Sequence, residues 1–125
     1  MKALIIKAGP QTPFVNFDAE SGKLEISGRS LADPIANFYQ PLIDWLDDYI
    51  AEAKPLSILS LNFEYLSNES IKHLLILMKK IEFIGGRGNK VLINWHYPAG
   101  NIEMIEAGED FRSIVKVPFQ LISKD

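Results

Sequence analysis

The sequence contains no cysteine among its 125 residues, which excludes disulfides, thiolate metal ligands and cysteine nucleophiles. Only two histidines are present, and the formal net charge of −3 gives no electrostatic reason to bind nucleic acid or an anionic membrane. No apolar run approaches the roughly 18 residues that a membrane-spanning helix needs. The apolar part of residues 1–7 is also too short for a signal peptide, so we expect a cytoplasmic protein.

What the sequence does contain is an ordinary globular composition. Hydrophobic residues make up 47% and charged residues 23%, which excludes disorder as the main state. We find no internal repeat, low-complexity tract or linker. We therefore expect a single domain over residues 1–125.

The pattern of apolar residues and turn residues predicts strands that alternate with helices. The strands are expected at residues 4–6, 14–17, 24–26, 56–63, 90–97 and 117–122, with Pro118 suggesting an edge position for the last. Helices are expected from Asp33-Pro34 to residue 53, from Ser67 to residue 84, and from Asn101 to residue 110. Asp33 would cap the first helix, and Pro41 would kink or break it. The fold class is α/β, a mixed sheet of about five to six strands with parallel pairings and three helices.

A glycine-rich segment, Gly85-Gly86-Arg87-Gly88, invites comparison with a phosphate-binding loop. Such loops precede a helix, so that backbone amides and the helix dipole face the anion. This segment follows a helix and precedes a strand, so a helix-terminating turn is the better interpretation. The sequence gives no other sign of a cofactor site.

The residues that could carry catalysis have simpler structural interpretations. His73 and His96 lie on different predicted elements, which argues against a metal site. The dense carboxylates fall on solvated helix positions; they are Asp44, Asp47, Asp48, Glu103, Glu106, Glu109 and Asp110. Ser67 and Ser70 lack a nucleophile-elbow pattern, and Ser67 is predicted to be a helix N-cap, with Glu69 in the first turn. We therefore expect no enzyme activity; a polar cleft around His96, Tyr97 and Glu106 would overturn that expectation.

The second helix carries two apolar stripes rather than one. The predicted core stripe consists of Ile71, Leu74, Leu75, Met78 and Ile81. Ile76 and Phe83 project away from it, by about 120–140° at 3.6 residues per turn, and Lys72 and Lys79 flank them. The second stripe, Lys72-Ile76-Lys79-Phe83, is either a surface for docking a partner or a contact within the same fold, and the sequence leaves both open.

Taken together, the chain from Thr12-Pro13 onward resembles the SiaC-like regulatory phosphoproteins. The resemblance depends on the order and spacing of four segments and a following dipeptide. These are Ile43-Asp44-Trp45-Leu46, Tyr65-Leu66-Ser67-Asn68-Glu69-Ser70-Ile71-Lys72, Val91-Leu92-Ile93-Asn94-Trp95-His96-Tyr97, Glu106-Ala107-Gly108-Glu109-Asp110-Phe111 and Pro118-Phe119.

The resemblance implies a STAS-like fold, similar to that of anti-sigma-factor antagonists, and a bacterial switch without enzyme activity. In such proteins a Ser/Thr kinase phosphorylates the loop before the second long helix, and a PP2C-like phosphatase reverses this. The unphosphorylated form binds a target, which in SiaC-like systems is a diguanylate cyclase. The output is cyclic-di-GMP signalling and biofilm behaviour.

One position departs from the family pattern, which is similar to Tyr-Leu/Phe-Asn-Thr-Ser-Ser with Thr as the phosphate acceptor. Asn68 occupies that acceptor position and has no hydroxyl to carry a phosphate ester. Either Ser67 or Ser70 replaces it as acceptor, or the switch is lost. In the second case the chain is a constitutive protein-interaction or oligomeric module.

Overall fold

The computed structural model describes residues 1–124, which form a mixed sheet and three helices. The strands are β1 (Leu4–Ile6), β2 (Phe14–Asp18), β3 (Lys23–Ser30), β4 (Leu56–Leu66), β5 (Lys90–Pro98) and β6 (Phe119–Lys124). The helices are α1 (Ile35–Ile50), α2 (Asn68–Gly86) and α3 (Ile102–Ile114). The predicted α/β class is confirmed. None of the helices formed by residues 1–124 is long and apolar enough to cross a membrane.

The six strands lie in the sheet in the same order as in the chain. β1, β2 and β3 pair antiparallel, whereas β3, β4, β5 and β6 pair parallel, with one helix connecting each parallel pair. β1 and β6 are the edges, so the edge position predicted for the last strand is confirmed. The parallel arrangement brings the β4–α2 connection next to the end of β3, because Arg29 and Ser30 pair with Tyr65 and Leu66.

The core lies between the helices and one face of the sheet. Alternate strand residues are buried there and join the buried faces of the helices; they include Val15, Phe17, Leu24, Ile26, Leu59, Leu61, Phe63, Val91, Ile93 and Trp95. The opposite face is more polar, and Glu25, Ser60 and Asn94 lie in register across three neighbouring strands. The alternation predicted for residues 59–63 and 91–95 is thus confirmed.

The first helix differs from its prediction in three respects. Asp33 is not its cap, since the helix begins at Ile35 and the N-cap position is Pro34, which makes no side-chain hydrogen bond. Pro41 does not break α1, which runs unbroken to Ile50 instead of residue 53. Pro41 is tolerated because it and Asn37, whose carbonyl loses its helical donor, are both exposed to solvent.

The other two helices end later than predicted, each for a packing reason. Gly85 and Gly86 complete the last turn of α2, and a Cβ on Gly85 would lie only 2.8 Å from Cγ2 of Val91 on β5. The helix-terminating role predicted for Gly85–Gly88 is confirmed, although it begins at Arg87. The additional turn of α3 includes Phe111, which is buried. Its ring centroid lies 5.4 Å from that of Trp95.

The buried face of α2 is rotated relative to the predicted core stripe. Leu77 and Ile84 are fully buried, whereas Ile71 and Leu75 are only partly buried. α1 packs beside α2 on the flank that carries His73 and Lys80, since His73 stacks on Tyr39 and Lys80 pairs with Asp47 of α1. The second stripe is left on the outer surface.

Candidate functional site

The loop that opens α2 has the geometry of a capped helix N-terminus. The Ser67 hydroxyl oxygen accepts a hydrogen bond from the backbone N–H of Ser70 at 3.2 Å, which confirms the predicted cap. The carboxylate of Glu69 lies in the first turn, where the helix dipole stabilises a negative charge. It also pairs with Lys72 at 3.3 Å. The loop is tied to the sheet because Ser67 N–H donates to the carbonyl of Ser30 at 3.0 Å.

Four hydroxyl groups form a hydrogen-bonded chain beneath this loop. Ser67 Oγ lies 2.8 Å from Ser70 Oγ, Ser70 Oγ lies 2.8 Å from Ser30 Oγ, and Ser30 Oγ lies 2.7 Å from the Tyr39 hydroxyl. Ser70 also donates to the carbonyl oxygen of Ser30 at 2.7 Å. Each hydroxyl has one proton, so Ser67 and Ser30 donate to Ser70, and Tyr39 donates to Ser30.

Tyr39 is the buried end of this chain. Burial raises the pKa of its phenol to about 12, and its hydrogen bonding with the serines opposes part of the rise. Its ring stacks on the imidazole of His73 at a centroid distance of 5.5 Å. The network therefore joins the α2 loop, the end of β3, and α1.

The two serines that the sequence offers as phosphate acceptors, Ser67 and Ser70, differ in their burial. Ser70 is fully buried and fully hydrogen-bonded, so a kinase could not reach it without opening the loop. Ser67 is half-buried at the surface, and its neighbour Asn68, which the resemblance places at the expected acceptor position, is exposed. Of the two serines, Ser67 is the more exposed residue.

The pocket beside Ser67 is acidic. Its lining includes Glu64 and Glu103 together with the amide side chains of Asn68 and Asn101. A phosphate on Ser67 would face these carboxylates as well as the favourable helix N-terminus.

The second stripe of α2 lies on the surface. Ile76 is 42% exposed and Phe83 54% exposed, although large apolar side chains are usually buried. Together with Ile50 of α1 and with Leu75, they line an open groove of about 530 Å³. The groove is also lined by Lys72, Lys79 and Lys80.

Each lysine of this groove has an acidic partner outside the lining. Lys72 pairs with Glu69 at 3.3 Å, and Lys79 pairs with Glu82 at 3.5 Å. Lys80 pairs with Asp47 of α1. Beyond the groove, the guanidinium of Arg87 lies 5.8 Å from the ring centroid of Phe83. The resulting surface is apolar at its centre and carries ion-paired lysines at its margins.

The structure also separates the residues that could have suggested an enzyme. His96 alternates along β5 with buried Trp95, so the two side chains lie on opposite faces of the sheet. Glu106 belongs to α3, which packs against the Trp95 face and is exposed to solvent at that position. His96 and Glu106 therefore do not converge. Within residues 1–124 no group of three or more histidine and acidic side chains could hold a metal ion.

Two members of the hydroxyl chain, Ser30 and Tyr39, and three residues of the groove were not predicted from the sequence; of the three, Leu75 was assigned to the core stripe. Tyr39 lies on the apolar stripe of α1, and a tyrosine there indicates a buried hydroxyl that needs a partner. Nothing in the sequence identified Ser30 as that partner, because it depends on the pairing of β3 with β4. Ile50 and Lys80 could not be assigned to the groove from the sequence, because their place in it depends on how α1 packs against α2.

The family model for the SiaC family regulatory phosphoprotein matches residues 6–124. The chain belongs to this family of regulatory phosphoproteins. The resemblance drawn from the sequence is thus confirmed. A solved structure of SiaC of Pseudomonas aeruginosa is 27% identical, with a TM-score of 0.90 over 99% of this chain and 100% of that one.

Two further relatives extend the comparison within the family. The P. aeruginosa diguanylate cyclase SiaD in complex with its activator SiaC contains a chain that is 27% identical, with a TM-score of 0.90 over 97% of this chain and 99% of that one. An uncharacterised protein of P. aeruginosa strain UCBPP-PA14 is 28% identical, covering 100% of this chain and 99% of its own length.

Proposed function

We propose that this chain is a non-enzymatic regulatory protein that binds a diguanylate cyclase in the cytoplasm and thereby controls cyclic-di-GMP synthesis. Its family consists of regulatory phosphoproteins, and a similar protein is the activator of the cyclase SiaD. The observation that carries the proposal is the exposed stripe Lys72-Ile76-Lys79-Phe83 on α2. It begins one helical turn after the loop in which the family carries its phosphate acceptor.

The stripe has the composition of a docking surface. Interfaces are enriched in apolar and aromatic anchors surrounded by polar residues. The exposed side chains of Ile76 and Phe83 fit that description, since they lie about 10 Å apart along one helix at a rise of about 1.5 Å per residue. Lys72 and Lys79 supply charge at the margin. Association would bury both apolar side chains at no cost to the fold, because neither belongs to its core.

The proposed switch is phosphorylation of Ser67 by a Ser/Thr kinase and its reversal by a PP2C-like phosphatase. The position of Ser67 supports this role because the residue is partly exposed, whereas Ser70 is buried. A phosphate there would add about two negative charges near Lys72, the first residue of the stripe. It would attract Lys72 away from a partner and repel an acidic partner directly.

A second candidate function is favoured by Asn68. Because the family acceptor position has no hydroxyl, the chain could remain in its binding state permanently. It would then be a constitutive interaction module that binds the same target on the same stripe. The two candidates differ only in whether a phosphate is ever attached.

The binding proposal is tested with the full chain and the diguanylate cyclases of its own organism, purified one by one. We expect the chain to change cyclic-di-GMP synthesis by at least one of them. Ile76→Asp and Phe83→Asp are expected to abolish the effect while leaving the far-ultraviolet circular dichroism unchanged. Ile5→Asp is the matched control, because Ile5 is 64% exposed on the edge strand β1. If the chain changes cyclic-di-GMP synthesis by none of the cyclases, the proposal is wrong.

The switch is tested by mass spectrometry of residues 65–72 in protein purified from its native host. Phosphate on Ser67 would support the kinase and phosphatase cycle. An unmodified segment under several growth conditions would favour the constitutive module. Phosphate on Ser70 would contradict the accessibility argument.

A further inference from the structure

We infer that Arg29 binds the phosphate when Ser67 is phosphorylated, and that it gives up its contact with Pro10 to do so. The inference rests on the proposed switch, since it names the group of this chain that would detect the phosphate. Three properties of Arg29 support this role. They are its place beside the α2 loop, its lack of an ion-pair partner among residues 1–124, and the weakness of its contacts in the unmodified chain.

Arg29 lies on the strand next to the one that leads into the loop. It pairs in register with Tyr65 of β4, and its guanidinium carbon lies 5.8 Å from the centroid of the Tyr65 ring. The pairing continues into the loop, because Ser67 has an extended backbone and its N–H donates to the carbonyl of Ser30. With strands about 4.8 Å apart and a rise of about 3.3 Å per residue, the Cα atoms of Arg29 and Ser67 lie about 8 Å apart. The long side chain of arginine and the added phosphate can span this separation together.

The charge of Arg29 is not neutralised by a carboxylate. Among residues 1–124, Arg29 forms no ion pair. Lys72, the first residue of the stripe, pairs with Glu69 at 3.3 Å, so a phosphate can attract it only at the expense of that pair. A guanidinium also presents its N–H donors in a planar fork that matches two phosphate oxygens, whereas an ammonium group is a point charge. Arg29 is therefore the better partner for a phosphate on Ser67.

The contacts that hold Arg29 in the unmodified chain are weak. Its Nε donates to the carbonyl oxygen of Pro10 at 3.3 Å, which is long for a hydrogen bond between nitrogen and oxygen. Arg29 and Tyr65 are both exposed, and cation–π contacts at exposed sites are weak. A charge-assisted, bidentate pair with a phosphate is stronger than either contact. We therefore expect the guanidinium to turn from Pro10 toward the phosphate.

This movement would carry the signal across β3, away from the α2 loop. Pro10 belongs to the connection between β1 and β2, on the other side of β3 from β4. The same connection is held to the chain after β3 by a hydrogen bond of 3.0 Å from the N–H of Leu31 to the carbonyl of Gln11. Without the Arg29 contact, that bond alone would remain of these two. Phosphorylation of Ser67 would thus loosen the connection between β1 and β2.

The inference is tested on the full chain with phosphoserine placed at position 67 by genetic encoding, so that no kinase is needed. The probe is the phosphorus NMR signal of the phosphoserine, followed through its second ionisation at about pH 6. We expect the pKa of this ionisation to be lower in the parent than in Arg29→Gln, because Arg29 stabilises the dianion. Arg29→Lys retains the charge without the fork, and its phosphate pKa is expected to lie between the two.

A second readout follows the predicted movement directly. In the parent, phosphoserine is expected to shift the NMR signal of the Arg29 Nε–H and the amide signals of Gln11 and Leu31, relative to the unmodified chain. In Arg29→Gln, phosphoserine is expected to leave the Gln11 and Leu31 signals nearly unchanged. Equal shifts of these two amides in both proteins would show that Arg29 does not transmit the change, and would overturn that part of the inference.

Arg87→Gln is the matched control for the lost charge. Arg87 also lies 5.8 Å from the centroid of an aromatic ring, that of Phe83, but at the opposite end of α2 from Ser67. We expect this variant to leave the phosphate pKa nearly unchanged. The ionisable groups of the first turn of α2, Glu69 and His73, are present in both arginine variants, so the difference between the variants reports the lost arginine.

Lys72→Gln compares the two candidate cations, and it is expected to raise the phosphate pKa less than Arg29→Gln does. An unchanged phosphate pKa in Arg29→Gln, an equal rise in Arg29→Gln and Arg87→Gln, or a larger rise in Lys72→Gln would overturn the inference. The failure of the proposed switch is a separate result. If the native protein carries phosphate on Ser67 but Arg29→Gln leaves the pKa of that phosphate unchanged, the inference is wrong and the switch stands. If the native protein carries none, the switch is wrong, while a lower phosphate pKa in the encoded parent than in Arg29→Gln still supports the pairing.

Discussion

The hydroxyl of Ser70 donates a hydrogen bond of 2.7 Å to the backbone oxygen of Ser30, forty residues earlier in the chain. The bond links the first turn of α2 to the end of β3, and so fixes the loop that precedes α2. It is buried, and the same Ser70 oxygen also accepts hydrogen bonds from Ser30 and Ser67. The geometry of the proposed regulatory loop therefore depends on a residue that solvent cannot reach.

Removing this hydroxyl should destabilise the protein. Ser70→Ala leaves the Ser67 and Ser30 hydroxyls without their acceptor, and we expect a loss of about 1–3 kcal/mol in the free energy of unfolding. Urea denaturation measures the loss. Ser113→Ala is the control, because Ser113 also donates to a backbone carbonyl in its own helix but is exposed. We expect that control to change stability by less than about 0.5 kcal/mol. Equal losses of unfolding free energy in the two variants would show that burial of the hydroxyl network adds nothing to its stabilising effect.

The network also predicts a dependence of stability on alkaline pH. The Tyr39 phenol has a pKa of about 12 in the folded chain, above its ordinary value of 10.0, because it is buried. The folded chain thus keeps a proton that the unfolded chain releases as the pH passes 10. The contribution of the protonated Tyr39 to the free energy of unfolding is therefore present below pH 10 and is lost as the pH rises toward 12.

Tyr39→Phe tests this dependence, since the variant has no proton to lose at that position. It is expected to be less stable than the parent at neutral pH, by about 1 kcal/mol for a buried hydrogen bond, and to lose less stability between pH 10 and pH 12. Denaturation at a series of alkaline pH values, with tyrosinate absorbance as a second readout, measures both. Parallel profiles for the two proteins would contradict the assignment.

Much of the architecture was predictable from the sequence, because alternation of apolar residues is a local signal. The alternation of Leu59, Leu61 and Phe63 with polar residues identified β4, and the Ser67 cap identified the start of α2. Helix ends were less predictable because tertiary contacts decide them. Gly85 continues α2 where a helix-terminating turn was expected, since Val91 of a later strand packs against its backbone.

The candidate site was predictable only in part, for the same reason. The stripe on α2 follows from helical periodicity, so the sequence revealed it, but its exposure depends on the position of α1. The choice between Ser67 and Ser70 depends on burial, which the sequence did not distinguish. The contact of Ser70 with Ser30 requires the parallel pairing of β3 with β4, which brings distant residues together.

Gly108 provides a prediction about the packing of α3. A Cβ at this position would lie 2.5 Å from Cδ1 of Trp95 and 2.7 Å from Cδ2 of Leu121. Gly108→Ala should therefore lower stability by about 1–3 kcal/mol through overpacking, although alanine is the better helix former. Gly86→Ala is the opposite case, because nothing lies within 4 Å of its added methyl group. It should be neutral or stabilising by up to about 1 kcal/mol. Thermal denaturation measures the stability of both variants. An increase in stability for Gly108→Ala would contradict the close packing of α3 against Trp95 and Leu121.

The accessibility of the two loop serines gives a prediction that needs no kinase. In Ser67→Asp, the new carboxylate can still cap α2 and lies at the positive end of the helix dipole, so stability should change by less than about 1 kcal/mol. In Ser70→Asp, the same charge is placed at a fully buried position between Ser30 and Ser67, and we expect a loss of about 3 kcal/mol or more. Asn68→Asp adds the charge to an exposed first-turn residue and serves as the reference. Comparable stability of the Ser67 and Ser70 variants would mean that the loop opens readily, and Ser70 would then be as available to a kinase as Ser67.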